Sequence, residues 1–374
     1  MSRMTQEQSS QLDSMRALAA IVVLFGHTFQ TLLLPAVGSW FTLVVLVSQL
    51  AVMVFFVLSG FLIGKSVCNN ISKNSVFNIG QYAKDRAIRI YPPLIASLVL
   101  MVVLSIVAPY VFPSGTNALL TIEGVDFVRT EYVSVSSDVL GALAFLNGFK
   151  TETPSANGPL WSLSIEVWYY VIAASVFLWP GRKIISSVML GMAVFVTYKN
   201  SLFFMLAPVW FSGFGLALIH QRRPQMNNRV FGVMFAVSSL AFIAVVVFAL
   251  FNDPSGNAVV PAPLNYFRVV SGLWFACFLA LLMGGGASFP KWFRRHAAYS
   301  YTLYVIHFPI MLFVLGLSQR YIYNSVPNAL FVSAVTIVIC LAASWLTSRW
   351  VESKSFISGL ALYAKKAITK KLTA

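Results

Sequence analysis

The 374-residue sequence predicts an all-α, polytopic membrane protein with about ten transmembrane helices around a polar central cavity. Three observations predict it. Hydrophobic residues make up 58% of the chain and charged residues 10%, with a mean hydropathy of +0.79, whereas a soluble domain carries roughly 25% charged residues. Apolar runs long enough to cross a bilayer, about 20 residues each, recur along the sequence. The basic residues, which bring the net charge to +15, sit in the short loops between those runs, as the positive-inside rule requires. This placement, without a matching motif, argues against a nucleic-acid partner.

In chain order the spans fall near 15–34, 41–64, 91–112, 159–180, 184–198, 201–219, 230–251, 265–286, 300–318 and 329–347. The first run holds a histidine and has no small-residue cleavage site, so it is expected to be a retained anchor rather than a signal peptide. The fifth span is short, and 184–219 could instead be one crossing and a re-entrant piece. Charge favours ten crossings: every basic residue then faces the cytoplasm except Arg129, Lys150, Lys199, Arg268 and Arg320, and both termini are cytoplasmic. The long external segment 113–158 has the length of a functional loop or of a flexible spacer, and Asp138–Phe149 reads as a short amphipathic or re-entrant helix able to roof a site. Residues 1–352 form the membrane domain. Residues 353–374 form a basic cytoplasmic tail whose Lys365–Lys371 strip suits an anionic leaflet.

Ionisable residues at bilayer depth are costly and mark cavities or reaction sites. In the first span Arg16 and His27 stand eleven positions apart, three helical turns plus about 20°, so both leave one face about 16 Å apart. After the second span, Arg86 and Arg89 share a helical face, with Pro92 and Pro93 suited to the start of the next span; the pair fits phosphate, or simply topology. The fourth span opens Asn157-Gly158-Pro159-Leu160-Trp161-Ser162 and carries Glu166, the one acidic residue inside any span. Entering from outside, Glu166 would lie about 10 Å deep and meet His27; a neutral core carboxyl or an ion pair with arginine is the alternative. His307 shares a stripe with Tyr304 and Ser300, forming either a second polar wall or a histidine bonded to a carbonyl freed by Pro309. His220 and His296 are expected to be solvated loop residues. Cys68, Cys277 and Cys340 read as apolar fillers, and no histidine pair has metal-ligand spacing.

At these residues the chain resembles the acyltransferase-3 family of bacterial integral-membrane O-acyltransferases, from about Leu12 to Glu352. The family's arginine, ten residues, histidine element matches Arg16 and His27, and its Phe-Phe-x-Leu-Ser-Gly-Phe segment matches Phe55 to Phe61. The arginine pair matches Arg86 and Arg89; Leu-Trp-Ser-Leu-x-x-Glu matches Leu160 to Glu166; Ser-Tyr-x-x-Tyr-x-x-His-x-Pro matches Ser300 to Pro309. Ser14 replaces the usual glycine before the first arginine, and Ser353 and Lys354 replace a basic residue and proline. The resemblance implies transfer of an acyl group, most simply acetyl, from acyl-CoA to a hydroxyl of a cell-surface or lipid-linked glycan at the bacterial inner membrane. It implies a donor bound near Arg16, Arg86 and Arg89, a cavity including His307, Tyr304, Trp161 and Ser162, and no metal. Some relatives carry a further hydrolase-like domain, so this membrane unit is expected to act alone or with a separate partner. His27 is expected to act as general base with Glu166 orienting its imidazole, or as a nucleophile that becomes acylated. A proton-coupled transporter or flippase is the competing class, since the same residue types build proton relays.

Overall fold

A backbone in apolar surroundings must satisfy its polar groups within its own segment, and each apolar run here does so as an α-helix. The computed structural model describes residues 4–37, 40–120, 130–133, 136–223, 226–252 and 261–353. The basic strip Lys365–Lys371 and the loop positions Glu123, Asp126 and Arg129 lie outside the described residues.

The helices are α1 (Gln6–Thr28), α2 (Leu34–Val37), α3 (Phe41–Asn74), α4 (Ile79–Val111), α5 (Ser136–Leu143), α6 (Leu160–Leu178), α7 (Lys183–Thr197), α8 (Ser201–Arg222), α9 (Asn228–Phe251), α10 (Pro261–Met283), α11 (Ser300–Ile322) and α12 (Val326–Val351). Among the described residues, nine helices are long and apolar enough to cross a membrane. The remaining expected span is α7, whose 15 residues rise about 22 Å, less than the ~30 Å hydrocarbon core. It runs from the α3–α4 turn toward the segment that follows α5. It starts beyond α6, where Phe177 packs on Phe77 of the α3–α4 turn, and it finishes where Asn200 donates to Gly148 O at 2.8 Å and Lys150 Nζ lies 4.5 Å from the Phe195 ring.

One end of the bundle gathers the start of α1, the α3–α4 turn and the end of α12. Lys291 pairs with Glu7, Ser14 donates to Pro290 O, and Thr302 donates to Glu352. This end is rich in arginine and lysine.

The closest packing joins α3 and α8. A Cβ on Gly60 would stand 2.0 Å from Trp210 O, and one on Gly213 2.0 Å from Val57 O. Small residues thus let two backbones touch where no hydrophobic force separates helix from lipid.

Several helices begin earlier than their apolar runs. Thr5 and Gln8 form a capping box that starts α1 at Gln6, and Asn78 caps α4 by accepting from Gln81 N. Pro92 and Pro93 therefore lie inside α4 rather than at its start, because the cap and the polar turns before them extend the helix beyond its apolar part. Directly after His27 the chain widens into a π-turn, Phe29–Leu33, with Leu34 N–H bonded to Phe29 O; such turns interrupt helices at functional positions.

The segment after α4 dips into the bundle. The helix expected over Asp138–Phe149 is α5, followed by turns in which Leu143 O accepts from Tyr91 OH at 3.2 Å and Phe145 O from Trp168 Nε1 at 2.9 Å. Asn157 then donates to Val305 O, the carbonyl that Pro309 leaves without its helical partner, and Ser97 donates to the same oxygen. This places the start of α6 level with the second turn of α11.

Candidate active site

That placement changes the depth of Glu166. Gly158 lies against the Phe308 ring, and Tyr304 OH donates to Pro159 O at 3.3 Å, so α6 begins at the level of His307 instead of at a membrane face. Six residues further, about 9 Å, Glu166 reaches the level of the arginines. There it accepts hydrogen bonds from Ser59 and Tyr170 on the same oxygen, and Trp210 Nε1 donates to Ser59 Oγ at 3.2 Å. The structure brings His307, and not Glu166, to the side of His27 in this network: His27 Nδ1 lies 2.9 Å from His307 Nε2, with the two rings 7° from parallel.

The hydrogen bonds order the protons of this pair. Leu303 O, 2.9 Å from His307 Nδ1, can only accept, so in neutral His307 the proton sits on Nδ1 and Nε2 accepts. His27 then donates from Nδ1, which puts its basic lone pair on Nε2. Of the two expected surroundings, His307 shows a bond to a carbonyl. The carbonyl is that of Leu303; the one freed by Pro309 is taken by Ser97 and Asn157.

Below the histidines lies a cavity of about 300 Å³ lined by Arg16, Arg86, Arg89, Glu166, Ser59, Ser162, Ser300, Tyr170, Tyr301, Tyr304 and a set of apolar side chains that includes Phe55 and Phe56. Three guanidinium groups and one carboxyl leave it an excess of positive charge. Arg16 pairs with Asp13 at 3.0 Å and Arg86 donates to Ser66 Oγ at 3.4 Å. Arg16 Nε and Arg86 Nε are buried without a hydrogen-bond partner among the described residues. A buried donor left unpaired costs about 1–3 kcal/mol, which an anionic ligand would recover. The residues present therefore fit a phosphate-bearing donor.

Tyr304 and Ser162 bond each other at 2.5 Å, and the Tyr304 ring centroid stands 6.2 Å from that of His307. They form the partition between the cavity and the histidine pair, neither of whose members lines the cavity. Trp161 is not part of that lining either; it packs between Phe56 (6.4 Å) and the Arg268 guanidinium (5.7 Å), which Gln49 holds at 2.8 Å. Sequence reasoning assigned no role to Ser59, Tyr170 or Trp210. Ser59 lies within the Phe55–Phe61 motif, but only the fold shows that it faces Glu166. His220 is buried rather than solvated, with Nδ1 2.6 Å from Lys65 Nζ, because α8 continues past the last apolar residue and packs its final turn on α3. His296 is exposed and bonds Tyr299 OH. No group of three or more His, Cys, Asp or Glu able to hold a metal occurs among the described residues.

Comparison with known proteins shows which family the chain falls in. The Acyl_transf_3 model, described as an acyltransferase domain, matches residues 9–345. The peptidoglycan O-acetyltransferase OatA of Listeria monocytogenes is 24% identical across 97% of this chain, and nodulation protein 10 of Rhizobium leguminosarum bv. viciae is 28% identical across 43% of it. The chain spans 58% and 42% of the lengths of these relatives. No solved structure matches. With the family model covering nearly its whole length, the chain belongs to the acyltransferase-3 family.

Proposed function

We propose that this protein transfers an acyl group, most simply acetyl, from acyl-CoA to a hydroxyl of a cell-surface or lipid-linked glycan, with His27 as general base. The observation that carries this reading is the vertical order of the site: unpaired arginine donors at one end of a cavity, and a histidine pair just beyond the other. The donor's diphosphate lies against Arg16, Arg86 and Arg89, and its pantetheine arm brings the thioester up to Tyr304 and Ser162. Displacement of that partition exposes the thioester to the acceptor hydroxyl. His27 Nε2 removes the hydroxyl proton as the oxygen attacks the thioester carbonyl; the C–O bond forms, the C–S bond breaks, and the proton passes to the leaving thiolate. His307 carries the Nδ1 side of the imidazole, whose positive charge grows during attack. Glu166, held by Ser59 and Tyr170, shapes the donor end. The likeness to the Listeria peptidoglycan O-acetyltransferase supports O-acetylation of a glycan.

The basic end is then cytoplasmic, with both termini there, in a bacterial inner membrane. Donor enters from the cytoplasm and acceptor from the opposite face, so that only the acyl group crosses. In sealed vesicles of both orientations holding the protein and a glycan acceptor, acetyl-CoA is expected to drive transfer and coenzyme A release only from the basic side. Equal transfer with donor on the opposite face would reject the relay, and uptake of solute without acyl transfer would favour a transporter.

A further inference from the structure

A second hollow opens at the basic end, beside the cavity. Its volume is about 490 Å³, and Leu62 lines both spaces. Between them Arg86, from the cavity side, reaches Ser66 of the hollow. One stripe of α3 runs through both: Ser59 in the cavity, Leu62 shared, then Ser66, Asn69 and Lys73 in the hollow. Those spacings of three and four keep them on one helical face, and the fourteen residues from Ser59 to Lys73 cover about 21 Å. Gln81 and Asp85 supply the facing wall from α4, which continues into the cavity as Arg86 and Arg89.

The chemistry changes along this stripe. Phe55 and Phe56 give way to serine, asparagine and lysine toward solvent. The polar wall is held in shape by the α3–α4 turn: Asn78 N donates to Asn70 Oδ1 at 2.8 Å, and Asn70 Nδ2 donates to Asn78 O at 3.0 Å. Lys65 is buried and bonds His220 and Gln221, and neither Lys65 nor Lys73 forms an ion pair among the described residues. Asp85, the one carboxylate of the lining, accepts from Gln81 at 2.6 Å. Two lysines against one carboxylate, with Arg86 next to them, leave this wall with an excess of positive charge, which suits phosphate. Its amide groups are suited to the edge of a base.

We propose that the hollow lined by Lys65, Asn69 and Lys73 binds the phosphorylated nucleotide end of acyl-CoA, while the pantetheine arm follows the α3 stripe past Arg86 into the cavity. The assignment rests on acyl-CoA being the donor. It identifies where the donor's phosphate on the ribose is recognised, at a distance from the reacting thioester.

The test uses the purified full chain in neutral detergent and compares kcat/KM for acetyl-CoA, acetyl-dephospho-CoA, which lacks the ribose phosphate, and acetyl-pantetheine. Wild type is expected to favour acetyl-CoA over acetyl-dephospho-CoA by about tenfold, the worth of one charge-assisted contact. Lys73→Ala should bring that ratio down several-fold, and Lys73→Arg should restore it. Because the ratio is taken within each variant, losses of folded protein cancel. A wild-type ratio near one, or a ratio unchanged in both Lys73→Ala and Lys65→Met, overturns the assignment while leaving acyl-CoA as donor. Absence of transfer from every thioester overturns the donor reading and this site together. Repeating the ratio in nanodiscs with anionic phospholipid separates the two phosphate sources. An unchanged ratio supports the nucleotide, and a ratio that falls to near one with the anionic lipid assigns the lysines to a headgroup and overturns the proposal.

Discussion

Removing the imidazole of His307 tests the proposed division of labour within the histidine pair. Leu303 O takes the Nδ1 proton of His307, and His307 Nε2 takes that of His27, each across 2.9 Å. In His307→Ala the His27 Nδ1–H loses this acceptor, and the tautomer with its lone pair on Nε2 loses its advantage. The bond also strengthens as His27 becomes positively charged, so its loss falls on the transition state. A hydrogen bond to a charged group contributes about 1.5–3 kcal/mol, which at 1.36 kcal/mol per decade is roughly a 10- to 150-fold fall in kcat. KM for acetyl-CoA should hold, since the arginines lie below the partition. His27→Ala should cost more, about 10²–10⁴-fold. His307→Gln, with an amide oxygen able to accept, should fall between wild type and alanine. The assay is acetylated glycan per folded protein, with thermal melting in detergent as the control for folding. If His307→Ala proved as damaging as His27→Ala and His307→Gln no better, His307 would be the base. Unchanged kcat in His307→Ala would refute the orienting role.

Three other outcomes are expected. Arg86→Ala should raise the Kd for coenzyme A by at least about tenfold, and Arg86→Lys should recover only part of that, because lysine keeps charge but loses the planar fork; calorimetry on the purified protein reads both, and lysine equal to arginine would reduce the position to topology. Gly60→Leu should destabilise by about 1–3 kcal/mol or more, since its Cβ would meet Trp210 O at 2.0 Å, whereas Gly191→Leu, with open space around its Cβ, should melt like wild type. Tyr304→Phe removes the hydroxyl that bonds Ser162 and Pro159 O; coenzyme A affinity should persist while turnover changes by about tenfold, and an unaltered kcat would mean that these bonds do not control the partition.

The all-α membrane architecture was legible because composition and the length of apolar runs are local properties. Arg16 and His27 share α1, along which the helical repeat sets their separation. Arg86 and Arg89 share α4, and the structure sets all three arginines around one cavity. Helix ends were less legible: Asn78 and the Thr5–Gln8 box extend α4 and α1 through polar residues that hydropathy does not count.

What the sequence by itself determined is which residues are ionisable at membrane depth and how those on a single helix face are arranged, because the α-helical repeat is set by backbone geometry. Which residues meet across helices was decided by the tertiary structure. Depth counted from a membrane face put Glu166 beside His27; the descent of residues 144–159 into the bundle lowers the start of α6 to the level of His307 and Glu166 to the level of the arginines. That leaves His307 as the neighbour of His27 and gives Glu166 to Ser59 and Tyr170. The depth of a helix is set by what its connecting segments bond to, and for α6 those bonds run to Val305, Tyr304 and Trp168, far away in sequence and near only once the chain is folded.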